Sequence, residues 1–148
     1  MELTIRPAEP ADLLALCELY RHLNPADALL PKDRKHQVWA TMLQRPGFVC
    51  LVGIHARQII SSCCLSIIPN LTRGGRPYAL IENVMTHQDF RRRGFAKSVL
   101  QEALDRASNA DCYKIMLLTG SKRPEVHRLY EACGFRSDDK TAFVARPG

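Results

Sequence analysis

The sequence predicts an α/β domain, of the α+β kind, in which a mixed sheet carries helices on both faces. The first observation is the order of elements, which reads strand, helix, helix, three strands, helix, strand, helix, strand, and this order packs helices on both sides of one sheet. The second is length: 148 residues suffice for a single domain over 1–148 with a substantial core. The third is composition, since 46% hydrophobic and 24% charged residues are typical of a globular fold.

The first half of the chain contains a short strand, two helices and a strand pair. ELTIRP at 2–7 predicts the strand, and apolar residues at helical spacing predict an amphipathic helix over Asp12–Leu23. The loop NPADALLPKD, with its prolines and aspartates, separates this helix from a second one over Arg34–Leu43. FVCLVGI and QIISSCCLSII, on either side of the turn His55–Arg57, then predict two antiparallel strands.

The second half alternates strands and helices. After a polar loop at 69–77, YALIENVM predicts a strand, and the apolar stripe over 94–107 predicts the most regular helix of the chain. YKIMLLT is dense in apolar residues, which favours a central strand covered on both faces. Pro124–Cys133 predicts a helix, with proline in its first turn and Gly134 at its end. KTAFVA predicts a last strand.

Composition narrows the location and the class of partner. No apolar run approaches the roughly 20 residues that span a bilayer, and MELTIRPAEP lacks the features of a signal peptide, so we expect a cytoplasmic protein without a membrane partner. The six cysteines include no C-x-x-C pair, which predicts reduced thiols and neither a disulfide framework nor a zinc site. The net charge of +6 favours anionic partners, from nucleic acid to phosphorylated cofactors.

The stretch RRRGFAK at 91–97 joins a predicted strand to a predicted helix. Its charge alone is compatible with a nucleic-acid-binding segment, a solvated basic patch or a phosphate-binding turn. Its position favours the last, because helix N-termini carry unpaired N–H groups and the positive end of the helix dipole. Gly94 lets the backbone approach a ligand, and Ala96 adds no bulky side chain to the next turn. The arginines can reach outlying phosphates.

The spacing Arg91-x-x-Gly94-x-Ala96 resembles the pyrophosphate-binding signature Q/R-x-x-G-x-G/A of the GCN5-related N-acetyltransferase (GNAT) family. The segments LYE at 129–131 and GF at 134–135 match the family's last motif, and the strands YALIENVM and KIMLLT occur in the family's order. The resemblance implies a mostly antiparallel sheet that splays between these two strands. It also implies that acetyl-coenzyme A binds in the V-shaped opening between them.

The resemblance implies which residues contact the cofactor. The pantetheine arm would pair with the backbone at Val84 and Met85, and the pyrophosphate would accept N–H bonds from the turn that begins the helix. The cofactor-binding residues implied at this turn are Arg91, Arg92, Arg93, Gly94, Phe95, Ala96, Lys97 and Ser98. Arg123 stands where many members of the family have asparagine, so no role is carried over from that asparagine.

Glu82 and Tyr130 are the predicted catalytic residues. Glu82 is a carboxylate inside an apolar run, where loss of water makes it a better proton acceptor, and it matches the strand position of the family's general base. Tyr130 matches the family's general acid. Structural alternatives stay open, namely an ion pair for Glu82, a core packing role for Tyr130 and a water chain as the base. A backbone N–H near Val84 would meet the oxyanion, and no metal is expected.

The function predicted from these residues is transfer of the acetyl group of acetyl-CoA to a primary amine of a small molecule, by direct attack in a ternary complex. An acyl-CoA sensor without turnover, and acetylation of a protein or peptide amine, are the alternatives. Nucleic-acid binding is not expected, because no aromatic residues are interleaved with the basic ones. The sequence does not identify the amine, and a homodimer is an option that the family offers.

Overall fold

A five-stranded sheet forms the centre of the computed structural model, which describes residues 2–21 and 24–148. Its strands follow one another in chain order: β1 Thr4–Pro7, β2 Phe48–His55, β3 Gln58–Ile68, β4 Tyr78–Thr86 and β5 Ile115–Leu117. Strands β1 to β4 are antiparallel, and β5 joins β4 in parallel. The predicted mixed, mostly antiparallel sheet is therefore confirmed.

Four α-helices cover the two faces of this sheet. They are α1 Leu13–Tyr20, α2 Lys32–Gln44, α3 Phe95–Asn109 and α4 Pro124–Ala132. Helices α1 and α2 pack on what we call the first face, and α3 and α4 pack on the second face. The prediction extends the first helix to Leu23, which lies outside the described residues. Along the described chain, no helix is both long and apolar enough to cross a membrane.

The alternation of side chains along β2 and β3 divides the core between the two faces. Cys50 and Cys64 contribute to the cluster under α1 and α2, where Trp39 is buried and its Nε1 donates to the carbonyl of Pro10 at 3.2 Å. Leu51 and Leu65 contribute to the cluster under α3. All six cysteine thiols are free, although three of them are only partly buried.

Two predictions about the last strands are wrong. KTAFVA forms no strand, and the Phe143 side chain within it is 92% exposed. YKIMLLT contributes only the three residues of β5, and β5 is an edge strand rather than a central one. The two errors have one cause: a strand requires a neighbouring backbone to bond to, and KTAFVA pairs with no strand in the described chain, so β5 has a neighbour on one side only.

A partly buried ion pair connects β1 to the start of α1. Arg6 donates two hydrogen bonds to the carboxylate of Asp12, at 2.7 and 3.1 Å, and the backbone N–H of Glu9 donates a third at 2.7 Å. The side chain of Asp12 is only 12% exposed. The hydrogen bonds from Arg6 hold the pKa of Asp12 below its ordinary value. The orientation of the connection between β1 and α1 therefore depends on the charged carboxylate of Asp12.

Replacing Asp12 by Asn should lower the free energy of unfolding by about 1–2 kcal/mol at neutral pH, because it removes a charged acceptor. A depressed pKa stabilises the fold above the unfolded-state value of about 3.9, and this stabilisation is lost as pH falls through the native value. The difference between wild type and Asp12→Asn, measured by urea unfolding, should therefore shrink in that acidic range.

Glu18→Gln is the matched control, since Glu18 pairs with Arg21 at 3.2 Å on the surface. Exposed pairs contribute little, so this variant should unfold like wild type at every pH. An Asp12→Asn variant as stable as Glu18→Gln at neutral pH would contradict the assignment.

Candidate active site

Strands β4 and β5 pair over three residues and then separate. The pairs are Ala79 with Ile115, Leu80 with Met116 and Ile81 with Leu117. Strand β4 continues to Thr86, but β5 ends at Leu117, so the edge of β4 beyond Ile81 has no strand beside it in the part of the chain described here. The predicted splay between these two strands is thus confirmed, and it opens a gap in the sheet.

A β-bulge lies in β4 at this gap. Cys64 on β3 is opposite Glu82 and Ser62 is opposite Met85, so Asn83 and Val84 together oppose one residue of β3. Asn83 adopts a left-handed backbone conformation, with φ of 54°, which asparagine tolerates better than most residues. The bulge redirects the backbone of β4 where the gap begins. Sequence reasoning treated YALIENVM as a regular strand, although asparagine inside a strand was the available signal.

Ser61 fastens β4 after the bulge, and sequence reasoning missed it. Its buried hydroxyl donates to the carbonyl of Met85 at 2.9 Å and lies 3.0 Å from Oγ1 of Thr86. The backbone N–H of His87 donates to the carbonyl of Ile60 at 2.7 Å just beyond. A serine in the middle of an apolar strand is a signal of this kind, because a buried hydroxyl requires a partner. The end of β4 is therefore fixed on its β3 side.

The turn RRRGFAK presents backbone N–H groups at the start of α3. Ser98 is the first residue of this helix whose amide bonds back, to the carbonyl of Gly94 at 3.1 Å. The amides of Phe95, Ala96 and Lys97 have no such acceptor among the described residues. Gly94 has φ of 81°, and a Cβ built there would meet nothing within 4 Å. Open space beside three unpaired N–H groups fits an anion such as the pyrophosphate of a cofactor.

The three arginines of the turn differ in their contacts. Arg91 Nε donates to the carbonyl of Thr86 at 3.2 Å, which ties the turn to β4. Arg93 lies over the ring of Phe90, 5.6 Å from its centroid. Arg92 is exposed and has φ of 63°, and its guanidinium has no hydrogen bond within residues 2–21 and 24–148. Two of the three therefore also contact neighbouring parts of the turn, and the contact of all three with phosphates stays a prediction.

Two other residues of the signature contribute mainly backbone. The Phe95 side chain is buried and stacks on His55 with 6.1 Å between ring centroids, so only its amide belongs to the turn. The Ser98 hydroxyl donates to the carbonyl of Gly94 at 3.1 Å, beside its own amide. Lys97 is exposed at the first turn of the helix. Direct contact of each of these residues with a cofactor stays a prediction.

Glu82 and Tyr130 belong to opposite faces of the sheet but border the same gap. The predicted burial of Glu82 is wrong, because its side chain is exposed where the bulge and the absent strand leave β4 open. It opposes Cys64, which places it on the first face. Tyr130 lies on α4 and packs on the second face, edge to face with Phe135 at 6.2 Å between centroids.

Burial raises the pKa of Tyr130, and the thiols of Cys63 and Cys133 and then the carboxylate of Glu82 raise it further. The tyrosine hydroxyl therefore stays protonated at neutral pH, and it lies within electrostatic reach of Glu82. No described residue hydrogen-bonds to this hydroxyl. Since no buried side-chain N or O in the described chain lacks a partner, the hydroxyl must be open to solvent. Such a group can donate a proton to a bound substrate.

Two further polar side chains, those of His127 and Arg76, have partners of their own. His127 is exposed, and its Nε2 lies 2.6 Å from the carbonyl of Ser121. Arg76 pairs with Asp111 at 3.2 Å, near the start of β4 rather than its bulge. Among the described residues, no group of His, Cys, Asp and Glu side chains could hold a metal ion, and the expected independence of a metal stays a prediction.

Comparison with known proteins shows which family has this architecture. The model of the acetyltransferase (GNAT) family matches residues 13–135. The chain belongs to the GNAT family. A glucosamine 6-phosphate N-acetyltransferase from Trypanosoma brucei brucei is 31% identical over 142 residues, which cover 95% of this chain and 93% of that protein. The sequence resemblance is thereby confirmed, and this GNAT protein is an N-acetyltransferase that uses acetyl-CoA as co-substrate.

Solved structures agree with the family assignment. A protein from Agrobacterium tumefaciens str. C58, provisionally named an acetyltransferase, is 44% identical and superimposes with a TM-score of 0.93 over 97% of this chain and 99% of its own. An acetyltransferase from Trypanosoma brucei is 29% identical, with a TM-score of 0.81 over 98% of this chain and all of that one. The GNAT fold of the chain is therefore supported over nearly its whole length.

The turn at Gly94 can be tested by comparing an acid with its neutral isostere. Gly94→Glu should abolish coenzyme A binding in calorimetry, because a carboxylate would occupy the space beside the unpaired amides. Gly94→Gln has the same size and the same backbone strain at positive φ, so it should bind more tightly than Gly94→Glu. Arg92→Ala should weaken binding only about two- to fivefold, as expected for one exposed charge. Equal losses of coenzyme A affinity in Arg92→Ala and Gly94→Glu would contradict binding of the pyrophosphate by the unpaired amides of 95–97.

Proposed function

We propose that residues 1–148 act as one acetyltransferase domain, which transfers the acetyl group of acetyl-CoA to a primary amine of a small molecule in a ternary complex. One observation carries the proposal: a carboxylate from the first face and a protonated tyrosine from the second border the same gap in the sheet, beside a turn with three unpaired amides. An acyl-CoA sensor would need the turn and the gap, but it would not need both proton-transfer groups.

In the proposed reaction the pyrophosphate binds the amides of 95–97, and the pantetheine arm follows the open edge of β4 at Val84 and Met85. The amine nitrogen attacks the thioester carbonyl carbon, while Glu82 takes a proton from the amine directly or through water. A backbone N–H near Val84, reoriented by the bulge, stabilises the oxyanion. The C–S bond then breaks, and the leaving thiolate receives the proton of Tyr130.

Amino sugar phosphates are the acceptors that we propose first. The supporting relative is the glucosamine 6-phosphate N-acetyltransferase, which is similar over nearly the full length of both chains. The net charge of +6 also favours an anionic acceptor. Acetylation of a peptide or protein N-terminus is the alternative, and it is less favoured because no matched curated relative supports it.

Release of free thiol from acetyl-CoA should be compared for glucosamine 6-phosphate, glucosamine and a short peptide with a free N-terminus. The phosphorylated sugar should give the highest kcat/KM. A preference for glucosamine would remove the phosphate from the proposal, and a preference for the peptide would favour the alternative. Coenzyme A binding without turnover of any amine would favour the sensor.

Tyr130→Phe should lower kcat about 100-fold or more, because it removes the proton donor and leaves the packing of the ring unchanged. The dissociation constant of coenzyme A should not change. Tyr113→Phe is the matched control, since that ring lies near Lys114 and Arg73 at the start of β5. A Tyr130→Phe enzyme with the turnover of Tyr113→Phe would assign the tyrosine a packing role only.

Glu82→Gln separates the two candidate bases. If Glu82 takes the amine proton, the acidic limb of the pH–rate profile should disappear in this variant while coenzyme A affinity is retained. A variant that keeps the acidic limb would instead have a water chain as its base. Because the side chain is exposed, the substitution should leave the stability of the fold unchanged.

A homodimer in the cytoplasm is the proposed physiological form. The apolar side chains of Phe143 and Val144 are exposed beyond α4, and the outer edge of β5 pairs with no described strand, so a second copy could cover both. Six free thiols support a reducing compartment. Sedimentation of a monomer at all concentrations would contradict the dimer, and secretion by the native cell would contradict the location.

A further inference from the structure

Two thiols lie side by side on the first face of the sheet. Cys50 of β2 and Cys64 of β3 are directly opposite each other in an antiparallel pair, and each is 4% exposed. Opposed residues in such a pair have Cα atoms about 4.5–5.5 Å apart, which lies within the range that a disulfide spans. The spacing of the two backbones is therefore compatible with a disulfide between these strands.

Polar groups make the two thiols chemically different. The Ser62 hydroxyl lies 3.7 Å from Sγ of Cys50, and the Tyr20 hydroxyl lies 3.9 Å from Sγ of Cys64. A hydrogen bond from Cys64 is the largest of the causes that lower the pKa of Cys50. The same bond is the largest of the causes that raise the pKa of Cys64. These directions favour Cys50 over Cys64 as the thiol that ionises.

A cavity borders Cys50. It has a volume of about 200 Å³ and lies between β1, α2 and β2, with Pro7, Met42 and Cys50 among its lining residues. Cys63, which neighbours Cys64 in sequence, is 0% exposed and packs on the second face. Burial raises the pKa of Cys63 to about 12. Cys63 is therefore the thiol that we expect to react most slowly of the three.

We propose that Cys50 is an oxidation site for small hydroperoxides and that Cys64 resolves it to a disulfide across β2 and β3. With hydrogen peroxide as the oxidant, the Cys50 sulfur attacks one peroxide oxygen and the O–O bond breaks, so that a sulfenic acid forms and the leaving hydroxide takes up the proton lost by the thiol and departs as water. The Cys64 sulfur then attacks the Cys50 sulfur, the S–O bond breaks, and a second water leaves. Two thiols are oxidised and one hydrogen peroxide is reduced to two waters.

The disulfide would form on a rung of the sheet that continues to the candidate active site. Cys64 is opposite Cys50 on one side and opposite Glu82 on the other. The oxidation does not depend on acetyl transfer, because neither thiol belongs to the proposed catalytic groups. It can therefore be tested separately from the proposed function.

Treatment of the reduced full-length protein with hydrogen peroxide should yield a species lighter by two hydrogen atoms, and peptide mapping without reductant should join Cys50 to Cys64. In Cys64→Ser, dimedone should label Cys50 as a trapped sulfenic acid. Cys63→Ser is the matched control and should form the same disulfide as wild type. A disulfide between any other pair, or a Cys64→Ser protein in which dimedone labels other cysteines but not Cys50, would overturn the proposal.

A measurement on the wild-type protein guards against variants that fold poorly. Competitive alkylation with iodoacetamide, followed by mass spectrometry, compares the rates of the three buried thiols in one native sample. Cys50 should react about tenfold faster than Cys63, because reactivity follows thiolate content and access. Equal rates for Cys50 and Cys63 would overturn the assignment of Cys50 as the nucleophile.

Discussion

The site depends on the early separation of β4 from β5. Parallel strands normally share a long ladder of hydrogen bonds, but these two share three residue pairs and then part. Unpaired backbone groups inside a fold are costly, so an open strand edge persists only where water or a ligand can bond to it. The gap is thus a break in the sheet whose inner edge offers unpaired backbone donors and acceptors, which suit the pantetheine arm that we propose to bind there.

The separation also explains how two faces of one sheet contribute to one reaction. Successive side chains of a strand point to opposite faces, so in a closed sheet the group at Glu82 and the ring of Tyr130 would be divided by backbone. Where the neighbouring strand is missing, both faces reach the same space. The bulge at Asn83 and the bonds from Ser61 to Met85 and Thr86 keep the free strand in place. The gap is therefore open because β4 lacks a neighbouring strand there, and β4 is held in position by Asn83 and Ser61.

Hydrophobic periodicity and turn residues correctly predicted the elements that depend only on residues close together in the sequence. The helix at 94–107 and the turn before it follow from an apolar stripe and a glycine, and both agree with the structure to within two residues. KTAFVA and the burial of Glu82 failed for a different reason, because they depend on which strand lies alongside, and periodicity does not encode the partner. The Asn83 bulge likewise exists only in the register between β3 and β4, although its asparagine was visible in the sequence.

The basic turn is better understood as geometry than as charge. An exposed guanidinium is screened by salt within about 8 Å, and it attracts any anion, whereas three amides fixed at a helix N-terminus select a group that fits them. Arg91 contacts Thr86 and Arg93 contacts Phe90, so both also hold the backbone that we propose as the anion site. The net charge of the chain can speed the encounter with an anionic cofactor, whereas in the proposed site the orientation of these amides determines the position of its pyrophosphate.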